Sequence, residues 1–170
     1  VVRNNGSKIQ SIKGINIEKS FMDSVADTNG VDLSKYKVVN ENEFAFSGMQ
    51  TGRDECIRIA LNESKNPIIV SPAYTVLKVK NDSVLVPYIQ LWFSRKEIDR
   101  YGWFASDGSI RSNLDLERFF DMQIPIPSIE TQRSIASIYK VYKERKAIAS
   151  QLKEQLNNLC PILIKGSLQN

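Results

Sequence analysis

Along the last part of the chain, apolar side chains recur at steps of three and four. The series is Ile135, Ile138, Tyr142, Ala149, Leu152, Leu156 and Leu159, and Arg145 interrupts it. Such steps keep side chains on one face of a helix, and over about four heptads they make a coiled-coil seam. Ser128 stands where an N-cap is needed, and Glu130 puts a negative charge where the helix dipole favours one. Pro161 lacks the N–H that a helix interior uses, so the helix is expected to end or kink near Cys160. A short apolar patch, Ile162-Leu163-Ile164, comes after it.

Upstream the pattern is different. Short β-rich runs occur at Tyr36–Val39, Glu43–Phe46, Cys56–Leu61, Ile68–Val70 and Tyr74–Val79. Pro87, followed by Tyr88-Ile89-Gln90-Leu91-Trp92-Phe93, predicts a helix from Pro87 to near Tyr101. Gly102 and the Asp107-Gly108 pair mark loop. Leu116–Phe120 reads as a short helix and Gln123–Ile126 as a final strand. The expected fold class is α+β: a mixed sheet-and-helix body over residues 1–127, then a long coiled-coil-type helix over 128–170. That helix cannot bury its stripe alone, so it needs a partner helix.

Composition adds constraints. Apolar residues make up 42% of the chain, enough for a core of ordinary size. The longest apolar runs, such as Ile68-Ile69-Val70, fall far short of the ~20 residues that cross a bilayer. The start of the chain has no signal-peptide layout, and Cys56 and Cys160 make neither a disulfide framework nor a metal site. A cytoplasmic location is the expectation. The net charge is +4, and all of it lies in residues 128–170, with seven basic side chains against three acidic ones. The body is charge-balanced, so a basic face there would have to arise by segregation in the fold.

The chain has no His, which removes the commonest general base. It has no Gly-rich phosphate loop, dinucleotide fingerprint or Asn/Asp-Pro-Pro-Tyr segment. Asp54 with Glu63-Ser64-Lys65 is the nearest nuclease-like pattern, and a charged loop between two strands is the preferred reading of it. No catalytic activity, cofactor or metal is expected. Three segments carry residues suited to DNA, where phosphate contacts set register and base-edge contacts set sequence. In Ser47–Arg53, Gln50, Thr51 and Arg53 can donate hydrogen bonds, and Gly48 and Gly52 permit close backbone approach. A structural turn with Arg53 paired to an acid is the alternative. In the second, Arg95, Lys96, Arg100, Tyr101 and Trp103 form either a contact face or a solvated helix surface with Trp103 in the core. In the third, Ser109, Arg111, Ser112 and Asn113 occupy a flexible loop suited to a groove, or else they cap a turn.

Several stretches then carry a family resemblance. Asn113-Leu114-Asp115-Leu116-Glu117-Arg118-Phe119 leads into Ile124-Pro125-Ile126-Pro127-Ser128-Ile129-Glu130-Thr131-Gln132 and Ile135-Ala136. This resembles the junction in specificity subunits of type I restriction-modification systems, with Thr131 where the family often has Glu. Phe21–Ala26, Asp32–Tyr36, Phe44–Gln50 and Gly52–Glu55 resemble the first half of one recognition-domain subgroup. The resemblance implies a target recognition domain that binds double-stranded DNA. It implies long helices that pair as a spacer, and methyltransferase and restriction subunits as partners. Only one recognition domain and one helix are present, and the chain starts at Val1 without Met. It therefore reads as a half-length subunit or a fragment, with homodimerisation expected to cover the seam. The competing reading is a protein-interaction adaptor that uses its helix and binds no DNA.

Overall fold

The computed structural model describes residues 2–4, 9, 11–24 and 30–167, with the side chains of 162–167 excepted. The Ile162–Ile164 patch and the Val25-Ala26 end of one resembling stretch therefore lie outside the described side chains. Seven strands are seen among the described residues: β1 (Lys13–Ile15), β2 (Phe21–Asp23), β3 (Lys37–Val39), β4 (Glu43–Ser47), β5 (Arg58–Leu61), β6 (Ile68–Val70) and β7 (Thr75–Lys78). They pair antiparallel as β1-β2, β3-β6 and β5-β4-β7. The helices are α1 (Thr51–Asp54), α2 (Val86–Phe93), α3 (Lys96–Ala105), α4 (Leu116–Phe120) and α5 (Ile129–Ser167). The fold is α+β with a long C-terminal helix, as the sequence pattern predicts.

β4 organises the core because its side chains alternate between two faces. Phe44 and Phe46 point into one cluster with Ile57, Ile59, Leu61, Tyr88, Phe93 and Phe119, while Ala45 joins Val39, Ala60, Ile68 and Val70 in the other. Phe119 of α4 lies 4.1 Å from the Phe46 ring and 5.5 Å from the Phe93 ring, centroid to centroid. Asp115 caps α4 by accepting from the Arg118 amide at 2.8 Å.

Four expectations need correction. The helix predicted from Pro87 to Tyr101 is two helices, broken at Ser94 and Arg95, where Arg95 is extended. The cause is in the pattern: Ile89 and Phe93 are buried, but continuing their stripe would bury Lys96, Glu97 and Arg100. A new helix buries Ile98 and Gly102 instead. Gly102 is thus helical, not loop, and a Cβ there would stand 2.4 Å from Ile57 Cγ1. Gln123–Ile126 forms no strand. Pro125 and Pro127 remove two ladder donors, and the Pro125 carbonyl accepts from the Tyr88 hydroxyl at 2.7 Å. Finally, α5 does not end near Cys160 but continues through Pro161 to Ser167. One proline removes one backbone bond, and the turns on either side still carry the helix.

The first turns of α5 are anchored in the body. The Ser128 hydroxyl accepts from the Thr131 amide at 3.3 Å, as an N-cap should. Gln132 is completely buried. Its Oε1 accepts from the Leu85 amide at 2.9 Å, and its Nε2 donates to the carbonyls of Ser83 (3.0 Å) and Pro127 (2.9 Å). Ile135 packs against the main core cluster. Further along, Lys143 Nζ reaches Glu63 at 2.8 Å.

Candidate nucleic-acid interface

The Ser47–Arg53 turn and the Ser106–Asn113 loop are distant in sequence and adjacent in space. The Leu114 amide donates to the Gly48 carbonyl at 2.8 Å, and the Gly52 amide donates to the Ser112 carbonyl at 2.9 Å. The Gln50 amide donates to Asn113 Oδ1 at 3.2 Å. Both glycines are required by this closeness. A Cβ on Gly48 would lie 1.8 Å from the Leu114 carbonyl oxygen, and one on Gly52 would lie 2.6 Å from Ser112 Cβ. Gln50 (φ 61°) and Ser112 (φ 46°) both hold left-handed backbone here, which L residues adopt at a cost.

α3 packs on the same unit through Gly102, which lies against Ile57 and Thr51. A partly buried ion pair fixes α3, with Lys19 Nζ 2.6 Å from Asp99 Oδ1. That oxygen also accepts from the Ile57 amide at 3.0 Å.

Within this frame the predicted contact residues separate. Thr51 is fully buried and donates its hydroxyl to the Gly48 carbonyl at 3.0 Å, so it holds the turn and cannot face a ligand. Arg53 is exposed but donates to Gln50 Oε1 and pairs with Asp54, both at 2.8 Å. Asp54 also meets Arg58, and the Arg53 hydrogen bond holds the Asp54 carboxyl below the usual aspartate value. Asp54 is thus paired with these arginines, and Glu63 with Lys143. Ser109, Ser112 and Asn113 mainly close their own loop. Asp107 Oδ1 accepts from the amides of Ser109 and Asn113, each at 3.1 Å, and the Ser112 amide donates to the Ser109 carbonyl at 2.9 Å.

Arg111 is exposed and makes no hydrogen bond or ion pair with any described residue. The second candidate segment divides. Arg100 and Tyr101 share a recess with Trp103 and Phe104. Arg95 and Lys96 instead line a groove of about 710 Å³ between α2, α3 and α5, and Arg95 lies 4.4 Å over the Trp92 ring. Trp103 is 54% exposed, so it is not a core residue. Sequence reasoning did not select Ile110 or Phe104, which are 100% and 85% exposed. For Ile110 the available signal was an aliphatic residue inside a Gly/Ser/Arg/Asn loop, where no core periodicity asks for one.

The loop should respond to acid. The Ser109 side-chain hydrogen bond, followed by the Asn113 and Ser109 amides, holds the Asp107 carboxyl below its ordinary value. Ionised Asp107 therefore favours the closed loop. That contribution is full above the ordinary value and is lost as pH falls through the lowered one. The amide resonances of Ser109 and Asn113 should titrate together with a midpoint below the ordinary aspartate value. An ordinary midpoint would contradict the closure.

On the seam, Ile138, Tyr142, Leu152, Leu156 and Leu159 are 72%, 57%, 53%, 61% and 51% exposed. Ala149 is exposed as well, whereas Ile135 is partly taken by the body's own core.

The α+β body brings two remote loops together, and a long helix leaves it. The chain belongs to the family described as Type I restriction modification DNA specificity domain, which it matches over residues 14–158. It is also similar to the putative type I restriction enzyme MjaX specificity subunit of Methanocaldococcus jannaschii, at 22% identity over 134 residues. That match covers 78% of this chain but only 31% of the relative's length.

Proposed function

We propose that this chain reads one half of a bipartite target in double-stranded DNA. It uses the joined surface of the Ser47–Arg53 turn, the Ser106–Asn113 loop and the Arg100–Tyr101 side of α3. The observation that carries the reading is the hydrogen-bonded union of the first two segments, which leaves Arg111 without a partner among the described residues. The chain performs no chemistry itself. It directs methyltransferase and restriction subunits to the site, in the cytoplasm. Residues 1–127 are the reader and 128–170 the spacer, and α5 pairs with the same helix of a second copy through the exposed seam.

The test is binding to duplex DNA across a salt series. A reader loses affinity steeply as salt rises and prefers one sequence over others. A protein adaptor shows neither property. Arg111→Ala should cost about 1–3 kcal/mol of specific binding and relax the preference at one base pair. Unchanged affinity for the preferred duplex would remove Arg111 from the interface.

A further inference from the structure

Ile110 is the most exposed large apolar residue described, with its side chain entirely in solvent. A single exposed aliphatic residue usually needs no explanation. Its setting here is unusual. The loop that carries it is closed by its own bonds: the Asp107 amide donates to the Asn113 carbonyl at 2.9 Å, and Asp107 Oδ1 gathers two amides and the Ser109 hydroxyl. The Asp107 and Ser109 side chains, though exposed, are bonded within the loop, while the apolar Ile110 stands fully in solvent. Gly108 has no side chain, and nothing would lie within 4 Å of a Cβ there, so the tip is narrow. Next to Ile110 stands Arg111, with no partner among the described residues. A β-branched side chain on a pre-closed loop has little rotamer freedom to lose on docking.

We propose that Ile110 reads the 5-methyl group of a thymine in the major groove, beside the base pair contacted by Arg111. This rests on the reading of the surrounding surface as the DNA interface. The base edges in the major groove present donors, acceptors and one apolar group, the thymine methyl, and an aliphatic tip is complementary only to the last. The other use of such a tip is as a wedge between base steps. Unstacking a step costs a few kcal/mol and is offset by wrapping DNA over a basic surface. The charge-balanced body has no such surplus to offset it. A methyl contact requires no distortion.

The chain should first select its preferred duplex from a randomised pool. Each thymine in that duplex is then replaced by deoxyuridine, which removes the methyl and nothing else. At one position the replacement should weaken binding about fourfold, the effect of losing one buried carbon. Ile110→Ala should bind about fourfold more weakly and be indifferent to that replacement. Ile110→Val, which keeps the branch, should remain sensitive. The proposal is overturned if the wild-type chain selects a sequence but no thymine shows this dependence on Ile110. It is overturned equally if Ile110 matters only through a bend seen by gel mobility, the mark of a wedge. Selection of no sequence at all removes the DNA reading itself, and this inference with it.

Discussion

A chain carrying Leu152→Asp and Leu156→Asp should stay monomeric at concentrations where the unmodified chain self-associates. Both leucines are more than half exposed. Burying one such side chain contributes about 1.5–3 kcal/mol. In a two-fold pairing each position counts twice. Two carboxylates placed in an apolar seam add a desolvation cost. A loss of at least ~3 kcal/mol follows, which weakens association more than about 100-fold. Because these side chains touch no core, thermal unfolding of the body should not change. Sedimentation equilibrium measures the first effect and calorimetry the second. A wild-type chain that remains monomeric at tens of micromolar contradicts the pairing.

Gly48→Ala should damage the candidate interface without touching any predicted contact residue. The new methyl would meet the Leu114 carbonyl oxygen at 1.8 Å, an atom of the backbone and not the flexible end of a side chain. The turn and the loop must then separate, which breaks the bond from the Leu114 amide to the Gly48 carbonyl. A loss of about 3 kcal/mol is expected, at the upper end of what overpacking costs. Sequence-specific DNA binding should fall with it, because Gln50 and Arg111 lose their common frame. Denaturant unfolding and duplex binding measure the two effects. A variant with native stability and native binding contradicts the geometry described for this site.

The elements with strong period were legible in the sequence. The seam from Ile138 to Leu159, the Ser128 cap and the strands around Phe44, Ile59 and Ile69 all follow from local spacing. What escaped was set by contacts remote in sequence. Gly102 looks like punctuation until Ile57 is seen against it. Gln123–Ile126 alternates like a strand, but Pro125, the following Pro127 and the Tyr88 hydroxyl leave it without a ladder. Pro161 reads as an end or a kink, and the helix does not end there.

The candidate site was legible in composition but not in orientation. Thr51, Ser109, Ser112 and Asn113 are polar residues of the kind that contact DNA, and they are also the kind that close turns. Which use prevails depends on where the Ser106–Asn113 loop meets the Ser47–Arg53 turn. No local pattern encodes that meeting. Residue type alone points to Arg111 and, for the same reason, away from Ile110.

On the function proposed above, this chain chooses the DNA site for a modifying complex. The most direct measurement is genome-wide mapping of methylated bases in cells expressing the chain with its cognate methyltransferase subunit. Modification is expected at one recurrent split motif, palindromic if two copies pair through α5, that is lost with Gly48→Ala. A methylation pattern identical with and without this chain would contradict it.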